Sequence, residues 1–190
     1  ADIIINPNLN ILEEFNLTEY NYDIVIARME PENNIELIID GYMNSNQDRE
    51  LVIVGNLETS FGEYIFNKYK CDNIKFLGFI SRIEKLNSLR YFSNIYFHGH
   101  SVGGTNPSLL EAMASKSLIC AHDNVFNKSI LEKDAFYFNN AEKISRLINE
   151  EVKSRKNHLV KSNLEKIKNL YSWNKIVNDY ELFFQKINNK

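Results

Sequence analysis

IYFHGHSVGGTNPSLLEAMA, residues 95–114, runs from an aromatic, apolar tetrapeptide through two histidines and a double glycine into an apolar segment behind a proline. The tetrapeptide 95–98 has the composition of a buried strand. Gly103 and Gly104 permit unusual backbone angles and the close approach of a ligand to the main chain. Asn106 is a good N-cap and Pro107 suits the first helical position, so a helix is expected over 106–116. Strand, glycine loop and helix make one βα unit, and whether that unit recurs decides the fold.

It does recur. Apolar runs without polar alternation lie at 23–27 (DIVIA), 51–55 (LVIVG), 74–77 (IKFL) and 118–121 (LICA), separated by helix-length amphipathic segments at about 33–43, 60–69 and 81–92. Strands of this kind alternating with helices predict a parallel sheet covered on both faces, hence a doubly wound, Rossmann-like α/β domain. From residue 141 the pattern turns wholly helical, with one helix marked by Ile144, Leu147 and Ile148 and a second over 159–170. The last, over 172–187, gathers Trp173, Ile176, Val177, Tyr180, Phe183, Phe184 and Ile187 on one face too wide for a small α/β core alone. Residues 1–22 form a lead-in that starts abruptly and without Met, so the chain is expected to be a piece of a longer one.

Composition narrows the function classes. The 190 residues, 44% of them hydrophobic, can bury one sizeable core, so residues 1–190 are read as one domain. A net charge of -3 with scattered basic residues gives no footing for a nucleic-acid partner. The modest basic patch at 153–161 reads as a solvated helix face, or as a contact with an anionic membrane surface. Cys71 and Cys120 are far apart in apolar surroundings and read as buried free thiols, which suits a reducing cytoplasm. No stretch is long and apolar enough to span a bilayer, and no signal-peptide pattern is present.

Ligands in such folds bind beyond the carboxyl ends of the strands. The loop 99–105 and the helix start at Asn106–Pro107 therefore read as an anion site, with phosphate the usual occupant. Glu111, one turn into an otherwise apolar helix, must be paired. Its partner is either a pair of sugar hydroxyls or, within the chain, a lysine or backbone N–H. Arg28, behind the first strand, either forks onto ligand phosphates or bridges to Glu30 or Glu32. Gly55 ends the second strand at the same edge. His98 and His100 share a strand face, but without a third ligand nearby they read as hydrogen-bonding groups rather than zinc ligands. His98 is expected to be a satisfied strand-end residue and His100 to be a ligand contact. His122, Asp123 and Asn124 either reach the same cleft or are loop residues beside a short helix capped by Asn127.

Taken in order, "DIVIARMEPENN", "LVIVGN", "IKFLGFI", "GGTNPSLLEAMA" and "SWNKIVNDYELFF" resemble the C-terminal, donor-binding half of a GT-B glycosyltransferase of the retaining family 4. "HGHSVGGTNPSLLEAMA" is most similar to a subgroup that includes bacterial rhamnosyltransferases of surface polysaccharides. The resemblance implies that Arg28 contacts the donor diphosphate and that Glu111 binds the nucleotide ribose, and it places the catalytic role on these two. Asn33 falls where many relatives carry a phosphate-binding lysine, and Gly103 where a glutamate usually contacts the donor sugar. Backbone groups of Gly103, Gly104 and Thr105, with His100 or Asn106, are then expected to take over sugar recognition. No metal or other cofactor is implied. The implied partners are a nucleotide-diphosphate sugar, an N-terminal acceptor-binding domain that the terminal segment 171–190 would reach, and a lipid-linked or polysaccharide acceptor. The implied location is the cytoplasm, with the full-length protein at the inner membrane face. A noncatalytic sugar-nucleotide-binding module and an epimerase of the same build fit the same residues.

Overall fold

The computed structural model describes residues 1–150 and 152–188. Among them six strands form one parallel sheet: β1 (Tyr22–Ile26), β2 (Glu50–Val54), β3 (Ile74–Gly78), β4 (Tyr96–His98), β5 (Ile119–His122) and β6 (Phe136–Phe138), in the order β3-β2-β1-β4-β5-β6. The helices are α1 (Ile11–Glu14), α2 (Ile35–Met43), α3 (Ser60–Lys68), α4 (Ile83–Phe92), α5 (Pro107–Ala114), α6 (Val125–Leu131), α7 (Ala141–Glu150), α8 (Asn157–Leu170) and α9 (Trp173–Asn188). The fold is thus the Rossmann-like α/β architecture expected from the repeated βα unit. β6 is the strand that the sequence reading left out, since three residues (FYF) at a sheet edge carry too short an apolar run to register.

Each central strand buries both faces. Val25, Leu51, Ile53, Phe97 and Cys120 join α2, α3 and α7 in one core layer. Ile24, Val52, Tyr96 and Ile119 join α4, α5 and α6 in the other. At the amino edge the buried Asp23 ties the central strands together: its carboxylate accepts from Ile95 N (2.9 Å), Asn94 Nδ2 (3.0 Å) and Arg49 Nε (3.2 Å). The lead-in is docked rather than loose, with Ile11, Leu12 and Leu17 buried in the second layer. Two surface expectations need correction. Lys153 of the basic patch is buried, its ammonium bonded to the Tyr91 and Ser93 carbonyls at the C-terminal end of α4, and Cys71 is only partly covered. The terminal helix α9 has no buried residue, and Trp173, Tyr180, Phe183 and Phe184 are each more than half exposed. No helix among the described residues is long and apolar enough to cross a membrane.

Strand order reverses between β1 and β4, which pair directly. Connections leaving these two neighbours diverge, and a crevice opens between them at the carboxyl edge.

Candidate functional site

The loops behind β1 and β4 are laced together. Pro31–Asn33 form a 3₁₀ turn and Asn34 takes a left-handed conformation, so the regular helix starts at Ile35, not at Asn33 as expected. Asn34 Nδ2 donates to Gly99 O at 2.7 Å, while Ser101 N and Oγ donate to Glu32 O at 3.0 and 2.8 Å. Between these bonds the backbones nearly touch: a Cβ on Gly99 would lie 1.9 Å from the Asn33 carbonyl oxygen. The buried Asn33 amide donates to Arg28 O at 2.8 Å. Asn33 therefore sits behind the cleft wall and shapes the backbone that carries Arg28.

Over this joint lies a cleft of about 730 Å³. Arg28 and Met29 line it from the loop behind β1, Gly55 and Asn56 from the loop behind β2, and His100, Asn106, Pro107 and Glu111 from the β4–α5 unit. Gly55 is needed there, because a Cβ would meet Ala27 O at 2.3 Å. Phe79, Ile80 and Leu86 add an apolar wall. Arg28 is 83% exposed and, among the described residues, makes an open bridge to Glu30 at 3.3 Å, so its guanidinium can turn to a ligand. Both sequence readings of Arg28 are thus compatible, since an exposed pair of this kind is worth about 0–1 kcal/mol.

At the helix start, Asn106 caps α5 as expected, accepting from Ser108 N at 2.9 Å. Leu109 N and Leu110 N both donate to Asn106 O, and Pro107 has no N–H. The first amides of α5 are therefore spent inside the chain, leaving the dipole end as the helix's contribution to an anion. Gly103, at φ +107°, and Gly104 and Thr105 form an exposed loop beyond the cleft wall.

Glu111 is paired, but with a residue that the sequence reading did not single out. Its Oε2 lies 2.7 Å from Nη2 of Arg90, whose side chain is 1% exposed against 35% for Glu111. Arg90 comes from α4, and its Nη2 also reaches Ser108 Oγ (3.3 Å), which shares a 2.8 Å hydrogen bond with the Tyr96 hydroxyl. Although α5 is otherwise apolar in sequence, its Glu111 side opens to the cleft, over a charged and hydrogen-bonded floor.

His98 also departs from expectation. It is fully buried, and neither ring nitrogen has a hydrogen-bond partner among the described residues. Burial, then the neighbouring charges of His100 and Arg90, hold its pKa well below the usual histidine value. The His100 ring stacks on it, centroids 4.3 Å apart, and is likewise shifted down, by burial and then by Arg28. Asn124 and Asn127 fix this turn by donating to His100 O at 2.9 and 3.1 Å. The cap of α6 is Asn124, not Asn127. His122 contacts Asn124 and does not line the cleft. No group of three or more potential metal ligands occurs among the described residues.

Residues 10–169 match the model of the family described as Glycosyl transferases group 1. Three solved structures share the fold. A sucrose-phosphate synthase from Thermosynechococcus elongatus superposes with a TM-score of 0.75 at 17% identity, over 96% of this chain and 49% of that one. Anabaena HepE in complex with UDP and glucose gives 0.76 at 12%, over 95% and 52%. The C-terminal domain of a glycosyl transferase group 1 family protein (LpcC) from Francisella tularensis gives 0.70 at 18%, over 90% and 96%. The chain therefore spans about half the length of the first two and nearly all of the third. No curated protein sequence matches the chain.

Proposed function

Since the chain belongs to the group 1 glycosyl transferases, we propose that its cleft holds a nucleoside diphosphate sugar, as the donor-binding half of a retaining GT-B enzyme of family 4. One observation carries the reading. Arg28 and Glu111, 83 residues apart in sequence, line a single cleft at the switch point of the sheet, beside the start of α5. Glu111 offers a carboxylate to sugar hydroxyls, and the apolar wall of Phe79 and Ile80 suits a nucleobase. Cleavage of the sugar–phosphate bond leaves a diphosphate whose growing negative charge needs stabilisation. Arg28 and the α5 dipole supply it, and in this reading no divalent metal is required. That HepE carries UDP in the matching fold supports a nucleoside diphosphate here.

The finer proposals rest on sequence likeness. L-Rhamnose as the sugar and a lipid-linked or polysaccharide surface polymer as the acceptor follow the subgroup resemblance of residues 98–114. An N-terminal acceptor-binding half in the same protein accords with a chain spanning about half of the sucrose-phosphate synthase and of HepE. The exposed face of α9 is the surface it would cover, and the chain alone is then expected to bind donor without transferring sugar. The full-length protein would work in the cytoplasm, at the inner membrane face.

The test is a calorimetric screen of this chain against UDP, GDP, ADP and dTDP and their sugars, with EDTA present. Saturable binding of at least one diphosphate, weakened about tenfold or more in Glu111→Gln, is expected. No binding by any of them would overturn the proposal, and a strict need for magnesium or manganese would overturn its metal-independent part.

A further inference from the structure

We propose that Arg90 is the positioning residue for Glu111 and that it leaves this carboxylate one free oxygen for the ligand. The inference rests on the donor-binding reading above and names what that site can distinguish. Arg90 does not line the cleft. It lies beneath α5, with Nη1 3.1 Å from Asn87 Oδ1, Nη2 3.3 Å from Ser108 Oγ and Nη2 2.7 Å from Glu111 Oε2. Ser108 is in turn held by the Tyr96 hydroxyl at 2.8 Å. A guanidinium enclosed and tethered on both terminal nitrogens has one orientation, and the ion pair from its Nη2 holds the carboxylate oxygen beside it. Glu111 thus reaches the cleft already oriented. Oε2 is the oxygen drawn to Arg90 and Glu111 lines the cleft, which leaves Oε1 for the ligand.

The consequence is a specificity. A carboxylate with both oxygens turned to the ribose grips both hydroxyls side by side, whereas one whose second oxygen is held by a guanidinium offers the ribose a single oxygen, best aligned to one hydroxyl. The site should therefore read one hydroxyl of the 2′,3′ pair and tolerate loss of the other. Ribose and one of its two monodeoxy forms become nearly equivalent ligands.

The experiment is a calorimetric titration with UDP, 2′-deoxy-UDP and 3′-deoxy-UDP, the base being exchanged if the screen above selects another. For the unsubstituted chain, loss of one hydroxyl should weaken binding about tenfold or more and loss of the other less than about threefold. In Arg90→Met the oriented acceptor is gone, so UDP should weaken about tenfold and all three ligands should bind within about twofold of one another. Arg90→Lys, which keeps a cation without the fork, should restore part of the discrimination. A purely structural role would weaken all three ligands by one factor and leave their ratios standing, and that result overturns the proposal. So does comparable loss from either deletion in the unsubstituted chain. Should Arg90→Met fail to fold, Arg90→Lys decides alone, a reduced ratio supporting the proposal and an unchanged one overturning it. Absence of binding by every nucleotide overturns the donor reading and this proposal with it, whereas binding indifferent to Arg90 overturns this proposal alone.

Discussion

Gly99→Ala is the smallest perturbation that should damage the cleft. The added Cβ would lie 1.9 Å from Asn33 O and 2.9 Å from Asn33 C, where real Cβ contacts stay beyond 3.0 Å. The carbonyl must retreat by about 1.1 Å, the difference between 1.9 and 3.0 Å, and it is backbone rather than the tip of a flexible side chain. Overpacking of this kind costs about 1–3 kcal/mol. Separation also stretches the Asn34–Gly99 bond and the two from Ser101 to Glu32, each worth about 1 kcal/mol. A total of up to about 4–6 kcal/mol, if all three bonds are lost, is expected in urea unfolding. Because the loop that moves carries Arg28, affinity for a nucleoside diphosphate should fall about tenfold or more, as for a lost charge-assisted hydrogen bond. Gly104→Ala is the control: nothing lies within 4 Å of its added Cβ, and stability should change by less than about 0.5 kcal/mol. If Gly99→Ala matches the unsubstituted chain in both assays, the two loops are not the rigid joint described here.

Three further outcomes are expected. Arg28→Ala should weaken a nucleoside diphosphate about tenfold but leave the nucleoside unchanged, with or without EDTA, and equal losses for both ligands in calorimetry would refute a diphosphate contact. The depressed pKa of His98 means that the unfolded chain takes up its proton first as pH falls below about 6.5, so stability should drop by up to about 1.4 kcal/mol per pH unit. His98→Phe should flatten that slope in urea midpoints measured from pH 7.5 to 5, though His100 and His122, shifted the same way, will keep part of it. Tyr180→Ser with Phe184→Ser should reduce self-association in light scattering while leaving the melting temperature in place, because no residue of α9 is buried; a lower melting temperature would show that the helix supports the core.

Much of this fold was open to reading because its central strands are buried on both faces and so lack polar alternation. β6 escaped because its three residues follow a charged stretch, LEKDA, that looks like loop. At the site, Asn106 and Pro107 announced the start of α5 by local chemistry, and Glu111 announced that it needed a partner. That partner could not be chosen. In IEKLNSLRYF, the sequence of α4, Arg90 looks like one more charge on a solvated helix, and only the packing of α4 beside α5 turns it inward. The contact between Gly99 and Asn33 is hidden for the same reason, since it joins two loops through space. His98 was misread because a histidine at a strand end usually finds a partner, and sequence does not tell a satisfied imidazole from an orphaned one.

The pairing of β1 with both β2 and β4 has a kinetic consequence. Ile24 meets Val52 on one side and Tyr96 on the other, a loop more than twice as long. Closing the longer loop costs about 0.8 kcal/mol more chain entropy, and parallel pairing offers no hairpin to nucleate it. The half-sheet β1–β2–β3 can therefore assemble early, whereas the β1–β4 seam must wait for most of the chain. Arg28, behind β1, and Glu111, in α5 behind β4, lie on opposite sides of that seam. During refolding, competence to bind a nucleotide should emerge with the slowest structural phase, well after most of the parallel sheet has formed.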